Sequence, residues 1–258
     1  MPVHDLALLI DAARMAGRVA TSFAGVTAKR WDKPDGAGPV TEADLAVNDM
    51  LQSTLRQARP DYGWLSEETE DGTDRLTADR VFIVDPIDGT RSFVEGSSTW
   101  AHSIAIAERG LVTAAVVFLP MRGKLYAAAR GQGATLNGVP IRASGACDVA
   151  DMTVLAAKPA MLAQHWHQGT APTFKRSYRP SLAYRLALAA QGRFDGMVTI
   201  RPTWEWDIAA GTLIVTESGG GASDRTGAPL LFNNPDPRFD GIVAGSACGH
   251  ALLVSALA

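Results

Sequence analysis

Two rhythms of apolar residues run through this chain, and their alternation predicts its elements. Helical spacing of Leu6, Leu9, Ile10, Ala13, Met15, Ala16, Val19 and Ala20 predicts an amphipathic first helix over residues 3–23. From Gly25 to Val40 chain breakers dominate, and the stretch Lys33-Pro-Asp-Gly-Ala-Gly-Pro39 predicts a loop without regular structure. Thr41 then reads as an N-cap, with Asp44 three residues on, and Leu45, Val47, Met50, Leu51 and Leu55 extend a second helix to about Gln57. Val81–Val84 is a short, continuously apolar run of the kind that forms a buried strand. Two hairpins follow. Ser103–Glu108 turns at Arg109-Gly110 into Leu111–Leu119, and Lys124–Ala129 turns through Gly131–Gly133 toward Thr135-Leu136, with Asn137-Gly138 marking a further tight turn.

Beyond residue 145 strand-like runs at Thr153–Ala157, Gly196–Ile200 and Gly241–Ala244 alternate with helices. The helices are expected at Ser181–Gln191, at Asp207–Ser218 closed by Gly219-Gly220-Gly221, and at the C-terminus. The expected architecture is an α+β half, residues 1–145, packed on an α/β half, residues 146–258, with neither a flexible linker nor an internal repeat.

Composition narrows the functional classes. With 258 residues, 47% of them hydrophobic, the chain can bury a sizeable core. A formal charge of -3, a pI near 5.9 and the lack of Lys/Arg runs argue against a nucleic-acid polymer as partner. No apolar run approaches the ~20 residues that span a bilayer, so no membrane association is expected. The N-terminus lacks a charged n-region and cleavage site, from which a cytoplasmic setting is expected. Cys147 and Cys248 lie far apart outside any metal-ligand spacing, and the expectation is two reduced structural thiols.

The candidate chemistry lies where apolar segments end in acid. Val81–Val84 runs into Asp85-Pro-Ile-Asp-Gly-Thr90, placing two carboxylates close enough to share a hard cation, while Gly89 and the amides of Gly89 and Thr90 suit an anion. Three further acidic blocks could complete the site. In Trp64-Leu-Ser-Glu-Glu-Thr69, Glu67 is the preferred ligand, because adjacent side chains at a strand end diverge and Glu68 would point away. Asp207 in Trp204-Glu-Trp-Asp heads an Ala-rich helix, and Asp44 closes Thr41-Glu-Ala-Asp; taken singly, these two are sufficiently explained as an N-cap and a capping box. His165-Trp-His167 reads as surface or packing.

These blocks, in this order, resemble the inositol monophosphatase family of Mg²⁺-dependent, lithium-sensitive phosphomonoesterases: Glu67-Glu68, then Asp85 to Thr90, then Trp206-Asp207 with Ala209-Ala210-Gly211 and Gly219-Gly220. The resemblance extends from about Val40 to Gly245. It implies a five-layer αβαβα sandwich, a homodimer, and two to three Mg²⁺ per site. Carried onto this sequence, Glu67, Asp85 and the Ile87 carbonyl would hold one metal, Asp85, Asp88 and Asp207 a second, and a third would sit near Glu67. Asp44 and Thr90 would orient the attacking water, and Gly89 and Thr90 would bind phosphate through their amides.

A haloacid-dehalogenase-like reading is disfavoured by spacing, since that motif has one residue between its aspartates and Asp85 and Asp88 have two. A non-catalytic metal-binding protein has little support, because every expected ligand type is present. For the substrate, a small phosphorylated metabolite, Ile200 stands where inositol monophosphatases commonly place a Glu that contacts sugar hydroxyls. The runs Gly38–Asp44, Leu65–Glu68 and Pro202-Thr203 resemble instead the bacterial 3'(2'),5'-bisphosphate nucleotidases. That branch implies 3'-phosphoadenosine 5'-phosphate as substrate, with inositol 1-phosphate as the alternative. Arg201 is then expected to meet a 5'-phosphate, Trp204 and Tyr184 to offer a wall for the adenine, and Asp88 to touch substrate.

Overall fold

The structure is a computed structural model that describes residues 2–23, 26–34 and 38–258. The first helix, α1 (Pro2–Ser22), buries Leu9 and a stripe of alanines at 12, 13, 16 and 20, whose small side chains let it lie close on a sheet. The breaker-rich segment is more regular than expected. Arg30–Asp32 (β1) and Pro39–Thr41 (β2) pair antiparallel, Arg30 opposite Thr41, since most of the breakers fall in sequence between the two strands and Pro39 takes the first position of β2, opposite Asp32. Gly25 and Asp35–Ala37 of the expected loop lie outside the described residues. Thr41 caps α2 (Glu42–Ala58) in a complete capping box with Asp44.

After α2 come β3 (Gly63–Ser66), β4 (Arg80–Asp88), α3 (Thr90–Val94), β5 (Ala101–Glu108), β6 (Leu111–Leu119), β7 (Lys124–Ala129), β8 (Ala134–Leu136) and β9 (Val139–Pro140). These strands form a seven-stranded sheet in chain order, antiparallel except for β3 beside β4. Both expected hairpins are present. Arg109-Gly110 and Asn137-Gly138 turn with positive φ at both positions, as tight hairpins require.

The remaining elements are β10 (Thr153–Ala156), β11 (Lys175–Ser177), α4 (Leu182–Ala190), β12 (Gly196–Thr199), β13 (Thr203–Trp204), α5 (Glu205–Glu217), β14 (Gly220–Ser223), β15 (Arg238–Phe239), β16 (Ile242–Ser246) and α6 (Ala247–Ala256). A five-stranded mixed sheet runs β11-β10-β12-β16-β14. The glycines expected to close α5 divide their roles. Gly219 turns the chain at φ +85°, while Gly220 and Gly221 begin β14, pressed so close to β16 that a Cβ on Gly220 would meet the Gly245 carbonyl at 2.4 Å.

Strand alternation stacks these elements into five layers. Phe82, Val84, Ile104 and Ile106 face α1 and α2, whereas Val81, Ile83, Ala105 and Ala115 face α4 and α5. On the second sheet Leu155, Met197 and Ala244 face the same two helices, while Val154, Val198 and Val243 pack under Leu253 and Leu257 at α6. The fold is therefore the expected αβαβα sandwich. Gly211 lets the two central helices touch, since a Cβ there would meet Leu186 at 2.5 Å. No described helix is long and apolar enough to cross a membrane.

The expectation of reduced thiols is overturned. Cys147 and Cys248 form a disulfide with their Cα atoms 5.1 Å apart, because the start of α6 returns beside the segment that leads into β10. Ser246 Oγ–H donates to the Ala146 carbonyl at 2.8 Å, holding the same two segments together. Sequence spacing was uninformative because the chain between the cysteines, which are 101 positions apart, folds back on itself.

A link across so long a loop constrains the unfolded chain by roughly 5 kcal/mol in the chain-entropy description. Reduction, or the Cys147→Ala/Cys248→Ala double substitution, is expected to lower the thermal midpoint by at least about 5 °C. Calorimetry with and without reductant checks this, and an unchanged midpoint, or two titratable thiols in the non-reduced denatured protein, would contradict it.

Candidate active site

The site begins as an irregularity in β4. Pairing with β5 is regular as far as Asp85 opposite Ser103, then shifts before Asp88 opposite Ala101. Such a bulge bends the strand and re-aims its side chains. Asp85 and Asp88 thereby meet Asp207, which the first turn of α5 projects from across the interlayer core, and carboxylate oxygens of all three lie within 4.8 Å of one another. Asp85 and Asp88 are buried, Asp207 part-buried. At an effective dielectric constant near 20, two unit charges at that separation repel by roughly 3 kcal/mol. Burial, and after it the neighbouring carboxylates, push Asp85 and Asp207 well above the ordinary carboxylate range. Asp85 Oδ1 is buried without a hydrogen-bond partner. An all-oxygen, converging and under-satisfied donor set fits a hard divalent cation such as Mg²⁺.

Asp88 and Asp44 are each held by a contact from a segment distant in sequence. Asp88 Oδ2 accepts from Ser181 Oγ–H at 2.6 Å and from the Ala183 amide at 2.7 Å, so the start of α4 grips it. Ser181 caps that helix through the Tyr184 amide and holds φ +64°, unusual for a residue with a Cβ. Asp44 carries out two tasks at once. Oδ2 closes the capping box on Thr41, while Oδ1 accepts from Thr90 Oγ–H at 3.1 Å. The local explanation of Asp44 as a cap and its expected place beside Thr90 are thus both met by one carboxylate. Burial raises it to about 6.

Glu67 leaves β3 beside this cluster, and its charge raises Asp85, Asp207 and Asp44. The expected divergence of Glu68 is not observed. Its side chain is buried, and Lys33 Nζ bridges both glutamates, at 2.8 Å to Glu67 and 2.7 Å to Glu68. The physical reason is the turn that follows β3, which folds both carboxylates toward the β1–β2 connection. Burial, then Glu67, raises Glu68 to about 7. Burial depresses Lys33, but the two glutamates outweigh it and leave its ammonium above the ordinary lysine value.

Above the carboxylates opens a cleft of about 800 Å³, lined by Glu67, Asp88, Gly89, Thr90 and Asp207 at one end and by Ile200 and Arg201 further along. Gly89 adopts φ +101° as α3 begins. Thr90 Oγ–H is also 3.2 Å from the Ile87 carbonyl, so Ile87 shares this corner. Trp204 and Tyr184 do not line the cleft. Trp204 stacks on Trp206 at 4.6 Å under the Arg238 guanidinium, and Tyr184 is buried with its hydroxyl accepting from Arg122. Trp166, between two histidines, is core: its indole donates to the Ala160 carbonyl and packs on Phe174.

Sequence reasoning passed over several supports. His102, lowered to about 4 by burial, donates Nδ1–H to the Pro86 carbonyl between the two β4 aspartates. Glu205, fully buried at the start of α5, accepts from both Asn233 and Asn234 amides, and Asn234's carbonyl accepts in turn from the buried Arg75. An isolated His in a strand pattern and a Glu two residues before Asp207 were the only signals available.

Comparison with known proteins follows this geometry. A profile described as the inositol monophosphatase family matches residues 4–257. The chain is 36% identical over 242 residues to the Nus factor SuhB of Salmonella typhimurium, covering 86% of this chain and 85% of that one. It is 32% identical to the inositol-1-monophosphatase of Mesorhizobium japonicum, covering 98% and 95%. Among solved structures, an IMPase from Thermotoga maritima superposes with a TM-score of 0.83 at 28% identity, covering 99% of this chain and 96% of that one.

The crowded carboxylates lead to a stability prediction. With EDTA at pH 8, Asp207→Asn is expected to raise the thermal midpoint by about 3–8 °C, since ~1 kcal/mol moves a domain of this size by roughly 2–4 °C. Cluster acids with raised values hold protons in the folded state at lower pH, so the wild type relieves its own repulsion there and the gain shrinks toward pH 5. Scanning calorimetry at the two pH values checks both statements. A destabilised Asp207→Asn protein at pH 8 would contradict the repulsion.

Proposed function

This chain belongs to the inositol monophosphatase family, as a phosphoric monoester hydrolase, and from that premise we propose that it cleaves its substrate with a Mg²⁺-activated water. The observation that carries the reading is the meeting of Asp85, Asp88 and Asp207 beside the Asp44–Thr90 pair, at the floor of the cleft. We assign Glu67, Asp85 and the Ile87 carbonyl to one metal, Asp85, Asp88 and Asp207 to a second, and a third position to the neighbourhood of Glu67, in a protein that assembles as a homodimer. Bound Mg²⁺ supplies positive charge that neutralises the phosphoryl oxygens, acidifies water and stabilises the leaving alkoxide.

The protein's own groups then order the reaction. Asp44 Oδ1 fixes the Thr90 hydroxyl by accepting its hydrogen bond, which leaves the lone pairs of the Thr90 oxygen free to accept a hydrogen bond from the attacking water. The capping contact at Oδ2 prevents Asp44 from turning away. Gly89 and Thr90 present their amides to the phosphate, Gly89 holding the positive φ of +101° from which α3 starts. The Ser181 and Ala183 donors hold Asp88 in one orientation, so substrate and metal meet a fixed carboxylate. No histidine is needed as base; His102, beneath the Pro86 carbonyl, serves the shape of the loop.

For the substrate we propose 3'-phosphoadenosine 5'-phosphate, cleaved at the 3'-phosphate. Support comes from Ile200, which lines the cleft and offers no acceptor to a polyol hydroxyl, and from Arg201 beside it. Since Trp204 and Tyr184 lie elsewhere, the adenine has no wall from them. Inositol 1-phosphate is the second reading, favoured by the name of the 32% identical relative.

Phosphate release with each substrate at matched Mg²⁺ tests the choice: a higher kcat/KM for the bisphosphate is expected, and equal or better use of inositol 1-phosphate would reverse it. Asp44→Asn is expected to lower kcat by about a hundredfold or more while leaving the half-saturating Mg²⁺ concentration within about threefold. Recovery of activity in excess Mg²⁺ would make Asp44 a ligand. Li⁺ is expected to inhibit in the presence of Mg²⁺; full activity in high Li⁺, with Na⁺ as control, would count against the second metal position.

A further inference from the structure

The cleft has two ends of opposite charge. One is the carboxylate floor. The other is cationic: Arg185, Arg201 and Arg225 line it, with Tyr178 and His165 among them. Arg225 is engaged by Asp240 at 2.7 Å. Arg185 and Arg201 are not: among the described residues neither has a carboxylate within 4 Å of its guanidinium, although Arg185 is only 8% exposed. A guanidinium removed from water without a counter-charge is costly unless an anion meets it there.

Its placement is built. Arg185 Nε–H donates to the Arg179 carbonyl, and the guanidinium stacks 4.6 Å from the centre of the Tyr178 ring, which fixes the plane of the fork. Arg185 sits one turn along α4 from Ser181, the residue that grips Asp88, while Arg201 follows β12 and precedes Asp207 by six residues. Arg185 is therefore anchored to the helix whose start grips Asp88, and Arg201 lies on the connection that leads from β12 toward Asp207.

Resting on the reading of the carboxylate floor as the phosphoryl-transfer site, we propose that Arg185 and Arg201 form a subsite for a second anionic group of the substrate. The substrate class is then a small phosphomonoester that carries a further phosphate. The reacting phosphoryl group lies over the carboxylate floor, and the second phosphate reaches the paired guanidinium groups, which suit its oxygens by bidentate hydrogen bonding. An uncharged polyol monophosphate leaves both guanidinium groups without a partner, so the cationic end selects against it. The alternative role for these arginines, to steady Asp88 and Asp207 from a distance, would affect every substrate alike.

Matched substrate pairs separate the two. The kcat/KM ratio of 3'-phosphoadenosine 5'-phosphate to adenosine 3'-monophosphate, and of inositol 1,4-bisphosphate to inositol 1-phosphate, is to be measured for wild type, Arg185→Gln and Arg201→Gln at saturating Mg²⁺. The expected result is a bisphosphate preference of about tenfold or more in at least one pair, reduced about fivefold or more by each substitution. Arg201 is exposed, so its substitution remains informative if Arg185→Gln fails to fold. Ratios near one in both pairs, or a preference that neither substitution alters, would overturn the subsite. A second arm needs no turnover: calorimetric titration of metal-free protein with adenosine 5'-monophosphate and inositol 4-phosphate. Binding of either that weakens about tenfold in Arg201→Gln supports the subsite even if no substrate is cleaved, an outcome that would refute the phosphatase reading alone. Binding of neither, with both pairs cleaved indifferently, refutes the subsite and leaves the metal chemistry standing.

Discussion

Three carboxylates that repel one another are held together at the end of a buried strand, and much of the surrounding structure serves that constraint. The β4 bulge aims Asp85 and Asp88, the start of α4 grips Asp88, and the first turn of α5 delivers Asp207. Glu205, two residues earlier on α5, is buried in a web of Asn233 and Asn234 donors that fixes the helix against the 231–237 segment. Without such support each carboxylate would turn toward water or take up a proton. The fold stores this repulsion, which a divalent cation would offset.

The layers explain how segments distant in sequence converge. Asp85 and Asp88 belong to the first sheet, Asp207 to a helix sandwiched between the sheets, and Asp44 to a helix on the outer face of the first. The strand end is where these layers share an edge. Asp44 illustrates the economy of that edge, since one carboxylate caps α2 and fixes Thr90. Lys33 stands across from it, joining the β1–β2 connection to Glu67 and Glu68 and so tying a breaker-rich segment to the acidic wall of the site.

Much of this was legible in sequence because it is local. Alternating and helical periodicities located most strands and helices, the tight hairpins had their Asn-Gly and Arg-Gly turns, and the acid-bearing ends of apolar segments marked the site. What escaped was long-range. Nothing near Ser181 indicates that it will bind an aspartate 93 residues away, and nothing near Cys147 foretells Cys248. Gly220 and Gly221 look like a helix stop, and they become a strand only because β16 supplies a partner that tolerates no side chain there. Trp204 is expected as a wall for the adenine, but one residue at the start of a helix changes which side a side chain faces, and its ring stacks on Trp206 instead.

The central claim is that the Asp85, Asp88 and Asp207 carboxylates are a divalent-cation site that Glu67 extends. Crystals grown with Mn²⁺ as a substitute for Mg²⁺, measured for anomalous scattering, test it most directly. The account predicts a strong peak within about 2.0–2.4 Å of oxygens from Asp85, Asp88 and Asp207, and a second peak shared by Glu67 and Asp85. A protein that hydrolyses phosphomonoesters under those conditions, yet shows no anomalous density among these residues, would contradict it.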